Sequence, residues 1–293
     1  MKSLSELKGY CIVGRHSAVK TCLWLKKSLK DLGVCYKQKF YGIQSHRCLQ
    51  MTPALLCNQF CVHCWRPLEL LKDFKGWDEP ELIVEESIKA QRRLLSGFYG
   101  TEGVNVEKLK EAEKPNQVAI SLVGEPTLYP RLPELVDCYR KRGFTTFLVT
   151  NGTNPRMIEL VNPTQLYISL TAFDEQSHVE LNRPNKSLWN RVLESLEAMR
   201  ESKSRKVIRL TLIKGINMHE KALEKFDKLI RIAEPDFVEV KAYMFLGYSR
   251  LRLSLENMPS HEEIVEFSKK LEKLGYEIVD ESKESRVCLL SPL

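Results

Sequence analysis

Three thiols fall within eight residues, Cys57, Cys61 and Cys64, in a CxxxCxxC spacing. The apolar run Ala54-Leu55-Leu56 precedes them and Trp65-Arg66-Pro67 follows. Thiolates are soft ligands suited to Fe–S clusters and to zinc. A cubane has four irons, so three cysteines leave one iron open to a small molecule. The competing assignment is a structural zinc site with His63 as fourth ligand. A second set lies upstream: Cys22, Cys35 and Cys48 are spaced evenly, 13 residues apart. That spacing is too wide for a local metal loop, and taken singly each is an ordinary core thiol.

The elements that must position these residues show in the periodicity. From residue 51 onward, short apolar runs alternate with amphipathic stretches, which predicts βα units and a parallel sheet. Strands are expected at 54–56, 118–123, 146–150, 166–170, 207–213 and 237–241. Helices are expected at 80–95, 131–142, 154–161, 186–202 and 219–233, with a last one at 260–274 before strands near 276–281 and 286–290. Six βα units make a partial (β/α)6 barrel of the α/β class. Residues 97–116 read as an insertion with a short charged helix. Residues 1–50 form a separate basic extension ahead of a barrel over 51–293. Within that extension, 18–32 reads as a helix stopped by Gly33, and the alternating aromatic stretch 34–43 reads as extended.

Ligands of a parallel barrel bind at the carboxyl ends of its strands. The candidates there are Gly124 and Glu125 in the turn Gly124-Glu125-Pro126-Thr127, then Asn151, then Ser169 and Thr171. Asp174 lies close by, where a helix N-cap is its simplest duty. Arg209 and Thr211 alternate onto one face of a strand, and an arginine inside a barrel needs an anionic partner. Glu239 and Lys241 share a face and read as an ion pair, continued by Tyr243 and Met244-Phe245-Leu246-Gly247.

The chain has 293 residues, of which 43% are apolar, as in an ordinary globular protein. No apolar run is long enough to span a bilayer, and Met1 to Glu6 carries no secretory signal. Nine cysteines without an export signal favour metal binding over disulfides and a cytoplasmic setting. The net charge is +7, and residues 1–50 hold ten Lys/Arg against two acids, so the remainder is about −1. A polyanion such as RNA, or simply a solvated basic face, explains that excess equally well.

The CxxxCxxC loop resembles that of the radical S-adenosylmethionine (SAM) enzymes, whose open iron chelates SAM. Gly124-Glu125 resembles part of the family's SAM-binding turn, with Val123 in place of its first glycine. More of the chain is similar to one branch, the tRNA 4-demethylwyosine synthases. The stretches Tyr10–Lys20, Cys35–Ile43, Ser45–Pro53 and Cys61–Arg66 carry that likeness. The resemblance implies two 4Fe–4S clusters and SAM as cofactors, the second cluster held by Cys22, Cys35 and Cys48. It implies tRNA(Phe) containing N1-methylguanosine as substrate, pyruvate as two-carbon donor, and Lys37 as the amine that forms a Schiff base with it. Lys39, of the same strand parity, is the competitor. The resemblance also implies the short archaeal form, which needs an external donor of ferredoxin or flavodoxin type. Gly124, Glu125, Asn151, Ser169, Thr171 and Arg209 would then surround SAM. Cys11, Cys138 and Cys288 remain as core thiols, and Trp65, Phe98, Tyr99 and Tyr243 as candidates to stack the target base.

Two other readings compete: a radical SAM enzyme for a peptide or small metabolite, and a zinc protein that binds RNA. Anaerobic reconstitution separates the last from the rest. The expected result is about eight irons per chain, from two cysteinyl cubanes, with broad absorption near ~400 nm. One zinc and no iron would overturn the cluster reading.

Overall fold

The computed structural model describes residues 9–70 and 75–293. Lys2, Glu6 and Lys8, counted in the amino-terminal charge, lie outside the described residues. The chain divides into two compact units. The first comprises residues 1–57, 69–149 and 161–164, and the second 58–68, 150–160 and 165–293.

In the first unit, strands β1 (Tyr10–Val13) and β2 (Ser17–Lys20) form an antiparallel hairpin. Strand β3 (Cys48–Thr52) pairs antiparallel with β2 and parallel with β4 (Gln117–Ile120). Strand β5 (Thr145–Thr150) continues in parallel beyond β4. Helices α1 (Leu23–Ser28), α2 (Tyr36–Tyr41), α3 (Pro80–Ser96), α4 (Val106–Ala112) and α5 (Leu132–Lys141) complete the unit. Helix α3 starts on Pro80, which sacrifices no needed N–H there, and buries Ile83, Val84, Ser87, Ala90, Gln91 and Leu95. A satellite core joins Leu25 and Leu29 to Leu95, Leu109 and Ala112, with Cys22 and Phe98 packed on its edge.

The second unit carries α6 (Pro155–Leu160), β6 (Gln165–Leu170), α7 (Glu175–Asn182), α8 (Trp189–Arg200), β7 (Arg205–Leu212), α9 (Glu220–Ala233) and β8 (Phe237–Ala242). It ends with α10 (His261–Glu272), β9 (Tyr276–Ser282) and β10 (Val287–Pro292). Strands β6, β7 and β8 are parallel, and β10 lies antiparallel between β8 and β9. Strands β6 and β8 are buried almost throughout, as strands covered on both faces must be.

Four local expectations differ from the structure. Residues 36–41 are helical, not extended: Cys35 stands at the N-cap, Gly42 closes the helix at φ 71°, and Tyr36 and Phe40 meet edge-on one turn apart at 5.4 Å. Residues 17–20 are a strand, so the helix begins only at Leu23; Ala18 and Val19 are claimed by both β1 and β3. Residues 54–56 are not a strand. The ladder ends at Thr52 because Pro53 has no N–H to contribute. Helix α7 shows no strong apolar period; its signal is a capping box of Asp174 and Ser177.

Asp174 is thus a cap, and it is also paired with Lys225. Burial raises its carboxyl, but Lys225 and the Ser177 N–H outweigh this and hold it at about 2. Asp174→Ala is expected to cost about 1 kcal/mol at neutral pH in thermal unfolding. Because the pKa is depressed, that contribution is full above the ordinary carboxylate pKa of about 4 and is lost as pH falls toward 2.

Candidate functional site: two thiol centres

The even spacing of Cys22, Cys35 and Cys48 acquires a physical meaning in the first unit. Each residue stands where an element begins: Cys22 at the N-cap of α1, Cys35 at that of α2, and Cys48 at the start of β3. The Leu25 N–H donates to the Cys22 sulfur at 3.3 Å, and the Cys35 N–H donates to Ser45 Oγ at 2.8 Å. Burial pushes the Cys48 thiol up to about 12, and Cys22 and Cys35 push it further in the same direction. Gln117 and Lys37 act against that rise. Three thiols and one lysine therefore feel one another electrostatically. The Cys48 thiol so placed stays protonated until a metal ion replaces its proton.

Lys37 and Lys39 are separated by the helix that replaces the expected strand. Two residues apart on a helix they face opposite ways. Lys37 is half-buried, and its ammonium lies 4.7 Å from the centroid of the Phe147 ring. Lys39 is exposed.

The CxxxCxxC run crosses the boundary of the units, with Cys57 ending one segment and Cys61 and Cys64 belonging to the second unit. On the first unit, Gly124 sets the approach to Cys57. Its φ is +76°, and a Cβ there would stand 2.2 Å from the Ala54 carbonyl oxygen and 2.5 Å from that of Leu56. The Glu125 N–H donates to the Leu56 carbonyl at 2.6 Å. Glu125 itself is buried, and its carboxylate accepts from the Thr127 N–H and hydroxyl at 3.0 and 2.7 Å.

On the second unit, the loop is tied to the end of α7. Phe60 N–H donates to Asn182 O at 2.9 Å and Val62 N–H to Leu181 O at 2.8 Å. Arg252 donates to the carbonyls of Val62 and Cys64. Asn151 donates to Asn58 at 2.9 Å and accepts from Thr153, so it ties down the loop's second residue. Burial pushes the Cys61 thiol up to about 12, with Cys64 adding to the effect. His63 is half-buried, desolvation pushes it down to about 4, and its Nε2 faces the Thr171 hydroxyl at 3.3 Å. Ser169, Thr171 and Asn151 line a small polar cavity with Gln59, His178 and Asn182.

Arg209 finds its anion inside the protein. Its Nε donates to Glu239 at 2.8 Å, its guanidinium lies 4.5 Å from the Tyr167 ring, and the Tyr167 hydroxyl donates to Glu239 at 3.1 Å. Glu239 thus pairs with Arg209, and Lys241 donates to the Ser285 carbonyl at 2.7 Å. Among the stacking candidates, Tyr243 is core and bonded to Ser249 at 3.0 Å, and Phe98 packs on the satellite core. Trp65 and Tyr99 are exposed. Cys288 is a core thiol, whereas Cys11 and Cys138 are half-buried, Cys138 donating to Glu81.

Among the described residues, no three His, Cys, Asp or Glu side chains close around one point to hold a single ion. A cubane asks for a different cradle, since its thiolates stand on separate corners. The all-thiol donor sets suit iron–sulfur chemistry.

Comparison with known proteins gives the class first: residues 51–226 match the Radical SAM superfamily. The chain thus has the α/β partial-barrel fold of radical SAM enzymes, with a 4Fe–4S cluster and SAM as cofactors. Residues 232–292 match the family described as wyosine base formation. The chain is 55% identical over 98% of its length to the SAM-dependent tRNA 4-demethylwyosine synthase of Pyrococcus abyssi, covering 87% of that protein. It is 54% identical over 99% of its length to the Pyrococcus horikoshii enzyme of the same name, covering 88%. A solved structure of TYW1 with a lysine–pyruvate adduct bound superposes with a TM-score of 0.88 at 43% identity, over 97% of this chain and 92% of that one. The chain belongs to the tRNA 4-demethylwyosine synthase family, which carries a second cluster. No helix among the described residues is long and apolar enough to cross a membrane.

Gly124→Ala is expected to destabilise the fold by about 2 kcal/mol or more, from its left-handed backbone and the clash with Ala54 and Leu56. Calorimetry of the cluster-free chain measures this. Iron content after reconstitution should fall by about half, because the clash lies three residues or fewer from Cys57.

Proposed function

We propose that this chain builds the third ring of 4-demethylwyosine on N1-methylguanosine 3′ of the anticodon of tRNA(Phe), taking two carbons from pyruvate. The observation that carries the reading is that the half-buried Lys37 amine acts electrostatically on the Cys48 thiol, on which Cys22 and Cys35 act as well. An amine is what a keto acid needs, and an adduct of that kind is bound in the related TYW1 structure. Residues 1–50 supply this auxiliary centre, and 51–293 the barrel that holds SAM.

We assign Cys57, Cys61 and Cys64 to the SAM-binding cluster, and Cys22, Cys35 and Cys48 to the second. When bound, the first cluster supplies the electron that cleaves SAM to a hydrogen-abstracting 5′-deoxyadenosyl radical. Gly124 and Glu125 offer backbone groups to SAM, and Asn151, Ser169 and Thr171 offer polar side chains. Arg209, neutralised by Glu239, shapes that inner sheet face. Once it has given its proton to solvent, the Lys37 Nζ adds to the ketone carbon of pyruvate, and loss of water leaves an imine. The cationic side chains of residues 1–50 contact tRNA phosphates, while exposed Trp65 and Tyr99 are placed to stack unpaired bases. The electron comes from a separate ferredoxin- or flavodoxin-type protein in the cytoplasm.

Anaerobic incubation with N1-methylguanosine-containing tRNA, SAM, reductant and pyruvate should yield the tricyclic nucleoside by mass analysis. Unchanged N1-methylguanosine would refute the reading. Lys37→Ala should lower turnover about 10³-fold or more and abolish borohydride trapping of labelled pyruvate. Label on another lysine would reassign the amine.

A further inference from the structure

The cluster loop is backed by a buried amide array that the reaction does not consume. Asn182, the last residue of α7, donates from Nδ2 to the Cys61 sulfur at 3.4 Å and to Gln59 Oε1 at 3.3 Å. The Gln59 Nε2 in turn faces His178 Nε2 at 3.0 Å. Asn182, Gln59 and His178 are all buried. The two amides are coupled: turning Asn182 alone would aim its oxygen at the Gln59 oxygen, so the two turn together or not at all. A metal-bound sulfur, which only accepts, selects the arrangement in which the Asn182 Nδ2 faces it.

The main chain works to keep Asn182 there. Arg183 follows it in the left-handed region at φ 45°, a strained conformation for a side-chain-bearing residue. That turn lets both Asn182 O and Arg183 O accept from Phe60 N–H, at 2.9 and 3.3 Å. The amide is thus set against the loop by main-chain bonds and by its own two protons.

In the free thiol, the Cys61 S–H donates to Gln59 Oε1 at 3.3 Å. A metal-bound thiolate has no such proton, so the Gln59 oxygen would face a negative sulfur. Asn182 removes the conflict, because one amide proton engages the sulfur and the other engages Gln59. We propose that Asn182 is a positioning residue for the SAM-binding cluster, whose N–H···S bond to Cys61 raises that cluster's reduction potential. The inference rests on the assignment of Cys61 as a ligand. An N–H donor stabilises the more negative, reduced cluster, so a weaker electron donor suffices. The second cluster, held by Cys22, Cys35 and Cys48, has no contact of this kind with Asn182 and serves as an internal reference.

The test is an EPR-monitored redox titration of the reconstituted full chain. Asn182→Leu keeps the volume and loses the donor, Asn182→Asp substitutes a carboxylate, and Asn182→Gln retains an amide. The midpoint of one cluster should fall in Leu and fall further in Asp, with Gln nearest to wild type and the other cluster unmoved in all three. Equal midpoints in wild type and Leu at full iron would overturn the proposal. If the variants lose iron, the wild type still decides. Electron–nuclear double resonance with ¹⁵N-labelled asparagine side chains should show coupling to the reduced cluster, and its absence would overturn the proposal. Cys61→Ala guards the underlying assignment: it should remove about four irons and one cluster signal. Retention of both signals would refute the ligand assignment itself, whatever Asn182 does.

Discussion

The structure depends on main chain lying directly against main chain where the thiol loop begins. Gly124 presses on the carbonyls of Ala54 and Leu56 at a distance no side chain permits, and the Glu125 N–H fastens the same segment. On the proposed assignment the loop presents its thiols to an inorganic core, so it gains little from packing those side chains. Its position has to come from backbone hydrogen bonds and from the absence of a Cβ. The same solution recurs on the second unit, where Gly247 approaches the Trp65 carbonyl and Arg252 holds the carbonyls of Val62 and Cys64.

Burial of the thiols has a second consequence. Cys48 and Cys61 sit where a lone thiolate is strongly disfavoured. On the proposed assignment, iron arrives with release of protons, and the free energy of cluster binding is spent partly on removing them. Before pyruvate arrives, the side chains of Lys37 at Cys48 and Arg252 at Cys61 act in the direction that eases deprotonation of the sulfurs. Their placement suits sulfurs destined to be negative.

Where local reading and structure part, tertiary contacts overrode local pattern. Tyr36–Tyr41 alternates like a strand, yet Gly42 and the Tyr36–Phe40 contact make it a helix. That change separates Lys37 from Lys39, which a strand would have left on one face. Ala18 and Val19 suit a helix by composition but are claimed on both sides by strand partners. Arg209 called for an anion, and Glu239 of the neighbouring strand supplies it.

The sequence by itself determined the alternation of strands and helices after residue 51 and the three-thiol loop, because period and ligand spacing are local properties. It also carried the regular spacing of Cys22, Cys35 and Cys48, though without a reason for it. Only the tertiary structure brought those three thiols and Lys37 into mutual electrostatic reach, since each begins a different element and the sheet decides where elements begin. Asn182 stands 121 residues from Cys61 and carries no motif. A hydrogen bond across that separation is set by how α7 ends against the loop, which no local pattern encodes.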